Sequence, residues 1–290
     1  MSRINFDQFS KNFLEELLSP IGRVERSKEI PGEPKYADVY FIPAAPPSSS
    51  IPFLGVLGQF LVTACLLEPF RNAPSDTEIR DCILKLFWLH SDLRQQAEVP
   101  ILDPDLAQVC VLATSISAPQ LTRFAATPKS QAPPGIYSLG EAMKTNLVSI
   151  RELPAIPETL WLRLLGKGET QAIAIQEVLA LPKSVTYRFQ ILQLLAQWKI
   201  SLELLPNIDS DEDEEERLTV MALSQAYLEW ERETEQRGQR LIVEQMLRFR
   251  FGTLDAPLQA IIPSVLNLSP EVFTPLLMEL SREELLSRFQ

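Results

Sequence analysis

Histidine is almost missing from this chain of 290 residues, which has only His90. Cysteine is nearly as scarce: Cys65, Cys82 and Cys110 are odd in number and lack CxxC or Cys/His spacing. That argues against both a structural zinc site and a disulfide framework. Long apolar runs are lacking as well. Gly55, Gly58, Gln59 and Glu68 interrupt the longest, over residues 51–70, so none approaches the roughly 18 residues of a transmembrane candidate. The first residues are polar and acidic and show no basic-then-apolar leader pattern, which points to a cytoplasmic location with no membrane partner.

Excess positive charge is also absent. The formal net charge is −11, and Asp209, Asp211, Glu212, Asp213, Glu214, Glu215 and Glu216 form one acidic run. A nucleic-acid surface gains much of its affinity by placing basic groups on phosphates and releasing counterions. The clustered bases are Arg23, Arg26 and Lys28 near the first strand, and Arg237, Arg240, Arg248 and Arg250 near the end. The first group is placed either to touch phosphate or to serve as solvated charge on a strand edge.

What is present is an apolar fraction of 46%, enough for one substantial core and a smaller appended module. Phe6, Phe9, Phe13 and Leu17 recur at helical spacing, and Pro20 with Gly22 stops that helix. Residues 23–30 and 36–42 read as two strands around the turn Pro31-Gly-Glu-Pro34. A Pro/Ser-rich loop covers 43–52; residues 53–61 fit helix or strand, and 64–70 read as a buried strand. Ser75 with Glu78 forms a capping box for a helix whose stripe is Ile79, Ile83, Leu86 and His90. Strands are predicted over 109–116, 136–139 and 147–153, which makes the core mixed α/β. Helices follow at 158–165, 170–180 and 187–204. After the acidic run a charged helix spans 218–251, its stripe Ile242, Met246 and Phe249 predicted to be buried against the terminal helices or a second copy. Asp255, Ser269 before Pro270, and Ser281 with Glu284 mark three further helix starts. The expected divisions are an α/β core over 1–156, a helical extension over 157–208, an acidic linker and charged helix over 209–237, and a helical module over 238–290.

Three carboxylates stand out as candidates for chemistry. Asp38 lies inside the strand-like run Tyr36-Ala-Asp-Val-Tyr-Phe41, where a buried carboxylate must be solvated, hydrogen-bonded or metal-bound. Glu68, in Leu66-Leu-Glu-Pro-Phe70, is unusual in the same way, although Pro69 marks a strand end or edge where it could reach water. On the first helix, at about 100° per residue, Glu15 points away from the phenylalanine face while Glu16 lies on its flank and is the better candidate. Two carboxylates converging from neighbouring strands suit Mg²⁺, which takes oxygen ligands and keeps several waters. Arg71 and Lys85 are the nearby cations; Lys85 also stands four residues after Asp81, the spacing of a helix-surface ion pair. His90 completes an apolar stripe and reads as a core or helix-end residue.

The order helix, strand, Asp strand, Glu strand, helix, strand resembles the PD-(D/E)XK nuclease superfamily. The segments Phe13-Leu-Glu-Glu-Leu-Leu-Ser-Pro20, Leu67-Glu-Pro-Phe-Arg-Asn72 and Pro157-Glu-Thr-Leu-Trp-Leu-Arg-Leu-Leu-Gly166 resemble cyanobacterial proteins related to its Rpn branch, the recombination-promoting nucleases and putative transposases. The ending, from Arg248-Phe-Arg-Phe-Gly252 to Ser281-Arg-Glu-Glu-Leu-Leu286, is similar to a C-terminal domain of unknown function appended to such nucleases. The resemblance implies a PD-(D/E)XK-like core and a helical C-terminal region. It implies a Mg²⁺-dependent DNA endonuclease with Asp38 and Glu68 as metal ligands and Glu16 as an auxiliary acid. The family's lysine, two residues after the glutamate, is here Phe70, so Lys85 or Arg71 would replace it. Two readings follow: that endonuclease, or a catalytically inactive nuclease-like fold acting as an interaction or assembly module, self-associating through its C-terminal helices.

Overall fold

A computed structural model describes residues 3–30, 35–44, 52–97, 102, 105–185, 187–203 and 214–289. The expected turn at 31–34 and the acidic residues 209–213 lie outside them, as does most of the Pro/Ser-rich loop. The described residues fall into two compact units, Met1–Tyr227 and Leu228–Gln290.

The first unit begins with α1 (Arg3–Leu18), whose Phe6, Phe9, Phe13 and Leu17 are all buried, as their spacing requires. The strands β1 (Gly22–Ile30) and β2 (Lys35–Pro43) pair antiparallel, Val24 opposite Phe41. A 3₁₀ turn at Pro52–Leu54 and a short α2 (Val56–Gln59) follow. They settle the ambiguous stretch: Gly55 takes a left-handed φ of 55° between them, and a Cβ there would come within 2.2 Å of the Glu158 carbonyl oxygen. Then come β3 (Cys65–Phe70), α3 (Asp76–Gln96), β4 (Gln108–Ala113) and a short α4 (Ala118–Arg123), with β5 (Thr127–Pro128), β6 (Ile136–Ser138) and β7 (Thr145–Ser149) completing a seven-stranded mixed sheet.

The strand order is β1-β2-β3-β4-β7-β6-β5. Strands β3, β4 and β7 run parallel at its centre, and the outer pairs are antiparallel. Parallel neighbours need a crossover, and α3 supplies it between β3 and β4. The capping box of Ser75 and Glu78 starts α3, and Ile79, Ile83, Leu86 and His90 are buried along it. Ile79, Ile83 and Leu86 pack with Leu66, Val109, Val111 and Leu147 of the sheet. Strands β4 and β7 stop well short of their expected ends, at Ala113 and Ser149. Ala113 is the last residue paired with both β3 and β7, so beyond it neither strand has a central partner.

The helices α5 (Leu160–Arg163), α6 (Gly168–Ala180) and α7 (Arg188–Glu203) belong to the same unit. Trp198 of α7 stacks on Phe9 of α1, with ring centroids 4.4 Å apart. Arg71, just past β3, fastens the sheet to this layer. Its guanidinium donates to the Gly166 carbonyl at 2.6 Å and to Gln171 Oε1 at 2.9 Å, and it lies over the rings of Phe6 and Trp198. The helix α8 (Glu214–Phe251) starts inside the acidic run, and its first turns lie on the first unit. There Glu215 pairs with Arg151 and Lys167, and Thr219 accepts the Gly168 N–H at 3.2 Å.

In the second unit the rest of α8 meets α9 (Ala256–Val265), α10 (Pro270–Glu279) and α11 (Arg282–Phe289). Asp255 caps α9, and Ser281 with Glu284 forms the box that starts α11. The buried stripe of α8 differs from the one expected. Val243 and Leu247 enter the core with Ile261, Phe273 and Leu277, while Ile242 is exposed and Phe249 is 91% exposed. Met246 is the expected member that packs against this cluster. The next diagonal, Val243, Leu247 and Phe251, is equally apolar, and periodicity alone does not choose between stripes one residue, or about 100°, apart. Among the described residues no helix is long and apolar enough to cross a membrane.

Replacing Arg71 with leucine should cost roughly 2–3 kcal/mol, because it leaves buried acceptors without a charged donor. Urea unfolding of parent and variant checks this, and an unchanged midpoint would rule out the clamp.

Candidate functional site

The pairing of β2 with β3 brings the first two carboxylates together. Val39 lies opposite Leu67, Tyr40 opposite Leu66 and Phe41 opposite Cys65. One step further along the same register, Asp38 stands across from Glu68. The ladder stops there for a definable reason. Within a strand the N–H and C=O of one residue face the same neighbour, alternating along the chain. The bonds from Gln108 N–H to Ala64 O and from Thr114 N–H to Phe70 O show that even-numbered positions of β3 face β4. Pro69 therefore faces β2, where it has no N–H to give. Asp38 and Glu68 thus form a non-hydrogen-bonded pair, the type in which facing Cα atoms come within about 4.5 Å and side chains lie closest.

Both carboxylates line a pocket of about 390 Å³, together with Phe6, Asp7, Asp81 and Lys85. Each has an ammonium partner from a different helix. Lys85 Nζ of α3 is 2.8 Å from Glu68 Oε2. Lys11 Nζ of α1 is 3.2 Å from Asp38 Oδ1 and 3.0 Å from Asp7 Oδ2. Glu68 is 1% exposed, and its Oε1 is buried with no hydrogen-bond partner among the described residues. Burial pushes its pKa up to about 7; Lys85 opposes the rise and the Asp38 charge adds to it. Burial also raises the pKa of Asp38, against the pull of Lys11 and Lys85. For both lysines burial works against the charge, but their carboxylate partners outweigh it and hold the pKa above the ordinary value.

The sequence-predicted residues therefore divide. Asp38, Glu68 and Lys85 meet in one pocket, with Lys85 turned to Glu68. Arg71 lines the same pocket, but its guanidinium is engaged by Gly166 and Gln171. Burial lowers its pKa to about 10. Glu16 is half-buried and is not among the residues lining the pocket. From α1 it is Asp7 and Lys11 that reach the carboxylates. They lie about 40° apart around the helix, whereas Glu16 lies about 180° from Asp7. Sequence reasoning passed over both, though an Asp and a Lys four apart beside a buried phenylalanine face were a usable signal. His90 bonds through Nε2 to the Ala107 carbonyl at 2.7 Å, away from these groups. Of the early basic cluster, Arg23 and Lys28 pair with Glu25 and Arg26 with Glu15.

Among the described residues no group of three or more His, Cys, Asp or Glu side chains is arranged to hold a metal ion. A two-carboxylate site is nonetheless the kind Mg²⁺ uses, with waters and substrate oxygens completing its shell. Asp38 and Glu68 fit such an ion: they are adjacent, and a buried Glu68 oxygen lacks a partner. No protein-family model, curated protein or solved structure matches the chain.

The raised pKa of Glu68 has a signed consequence for stability. The folded state holds this proton more tightly than the unfolded chain, so the contribution is full below about pH 4.5 and is lost as pH rises through about 7. Glu68→Gln, neutral throughout, should gain on the parent across that window by an amount on the order of 3 kcal/mol. Melting of both proteins from pH 5 to 8 checks it, and a constant difference between them would contradict the raised pKa.

Proposed function

We propose that the chain is a divalent-metal-dependent endonuclease of the PD-(D/E)XK type, related to the Rpn branch and acting on DNA. The observation that carries this reading is the meeting of Asp38, Glu68 and Lys85 in one pocket, with Lys85 Nζ 2.8 Å from Glu68. The element order supports it too: a helix, an antiparallel strand pair with the aspartate on the second strand, the glutamate strand, a crossover helix and a parallel strand. Asp38 and Glu68 would hold Mg²⁺. The ion's chemistry in such a site is to lower the pKa of bound water and to stabilise charge on a phosphoryl oxygen. Lys85, reaching in from α3, takes the place of the lysine that the Glu-Pro-Phe sequence lacks. Its ammonium balances Glu68 and can donate to a phosphate oxygen entering the pocket.

A second reading is favoured by one observation: both carboxylates already have lysine partners. A cluster paired in this way can serve simply to hold β2, β3, α1 and α3 together, in an inactive fold that acts through its surfaces.

One assay separates the two. The purified protein is incubated with linear and supercoiled DNA and Mg²⁺ or Mn²⁺, beside Asp38→Asn, Glu68→Gln and Lys85→Met. The nuclease reading expects cleavage by the parent and a loss of at least about 100-fold in each variant, the scale of removing one preorganised electrostatic group from an active site. Cleavage undiminished in Asp38→Asn belongs to another site or a contaminant, and no cleavage with either metal leaves the structural-cluster reading standing.

A further inference from the structure

The two facing carboxylates have more ammonium partners than the proposed chemistry needs. Lys85 already supplies the ammonium beside Glu68, yet Lys11 of α1, which is not among the residues lining the pocket, bridges Asp38 at 3.2 Å and Asp7 at 3.0 Å. Asp7 stands one turn earlier on the same helix, the i,i+4 position from which a carboxylate can hold this lysine by itself. The lysine stem is flexible and its charge compact, so moving it fully to Asp7 requires only side-chain rotation.

We propose that Lys11 is a placeholder for the metal at Asp38: it neutralises that carboxylate while the ion is absent and passes to Asp7 when the ion takes its place. This rests on the reading of Asp38 and Glu68 as metal ligands. Two observations support it independently. The ammonium is already shared between two carboxylates, so leaving Asp38 does not strand it without a counter-charge. Beside Asp38, the buried Glu68 Oε1 has no hydrogen-bond partner among the described residues, so an acceptor is left for an ion bound at Asp38. A divalent ion and an ammonium at the same carboxylate oxygen repel at close range in a partly desolvated pocket, so one must yield. Lys11 has somewhere to go.

The consequence is a pair of opposite effects on metal binding. Removing the placeholder should tighten metal binding, and removing its receiver should weaken it. If Asp7, Lys11 and Asp38 acted only as a brace, both changes would loosen Asp38 and weaken binding together.

The test is isothermal titration calorimetry of the full chain with Mn²⁺ alone at pH 7.5, comparing the parent with Lys11→Met, Lys11→Arg, Asp7→Asn and Asp38→Asn. Melting temperatures confirm that each variant folds. The expected results are binding several-fold tighter in Lys11→Met, several-fold weaker in Asp7→Asn, near the parent in Lys11→Arg and undetectable in Asp38→Asn. Binding seen in Lys11→Met but too weak to measure in the parent has the same meaning. Unchanged or weaker binding in Lys11→Met overturns the placeholder and leaves the two-carboxylate site intact. No binding in either protein, or binding that survives Asp38→Asn, overturns both.

Discussion

Carboxylates facing each other across a strand pair repel, and burial makes each of them harder to ionise. Much of the first unit answers that problem at Asp38 and Glu68. Helices α1 and α3 each deliver one ammonium to it, Lys11 and Lys85, and the phenylalanine face of α1 and the isoleucine–leucine stripe of α3 hold those helices in place. The carboxylates therefore have partners only when both helices are seated on the sheet. Charge balance in the pocket and hydrophobic packing around it are one constraint.

Pro69 gives the pocket its opening. An N–H at that position, facing β2, would extend the ladder and draw the two strands together past Glu68. Its absence lets the end of β3 turn toward Arg71 and the helical layer beyond it. The same proline leaves the pairing with β4 undisturbed as far as Phe70 and Ala113, because on that side the bonding positions are even-numbered. One imino acid thus separates a continuous central sheet from an open edge at the carboxylates.

Much of this was legible in the residues. The spacing of Phe6, Phe9, Phe13 and Leu17, the capping box at Ser75 and the alternation around Asp38 each depend on local rules, and those elements formed where expected. The pairing of Lys85 with Glu68 was harder to read, since 17 positions separate them in sequence and only the β3–α3 connection joins them. Asp81, four residues earlier, offered a nearer partner on paper. Glu16 drew attention because it lies on the flank of the phenylalanine face, but position around the helix decides which acid lines the pocket, and that favours Asp7. In the second unit two apolar diagonals of α8 had equal claim, and only contact with α9 and α10 selected Val243 and Leu247.

The start of α8 bears on where this protein can be shortened. The left-handed glycine Gly168 leaves room for Glu215, whose Cβ would lie 2.9 Å from any side-chain carbon placed there, and the adjoining Thr219 is fully buried beside Gln171. Gln171 in turn holds Arg71, at the rim of the carboxylate pocket. A chain cut within the acidic run would therefore lose a buried polar partner two contacts from the site, while one ending after Tyr227 would keep it. The acidic stretch looks in sequence like a natural hinge at which to divide the molecule, yet the last of its glutamates belong to the wall of the first unit.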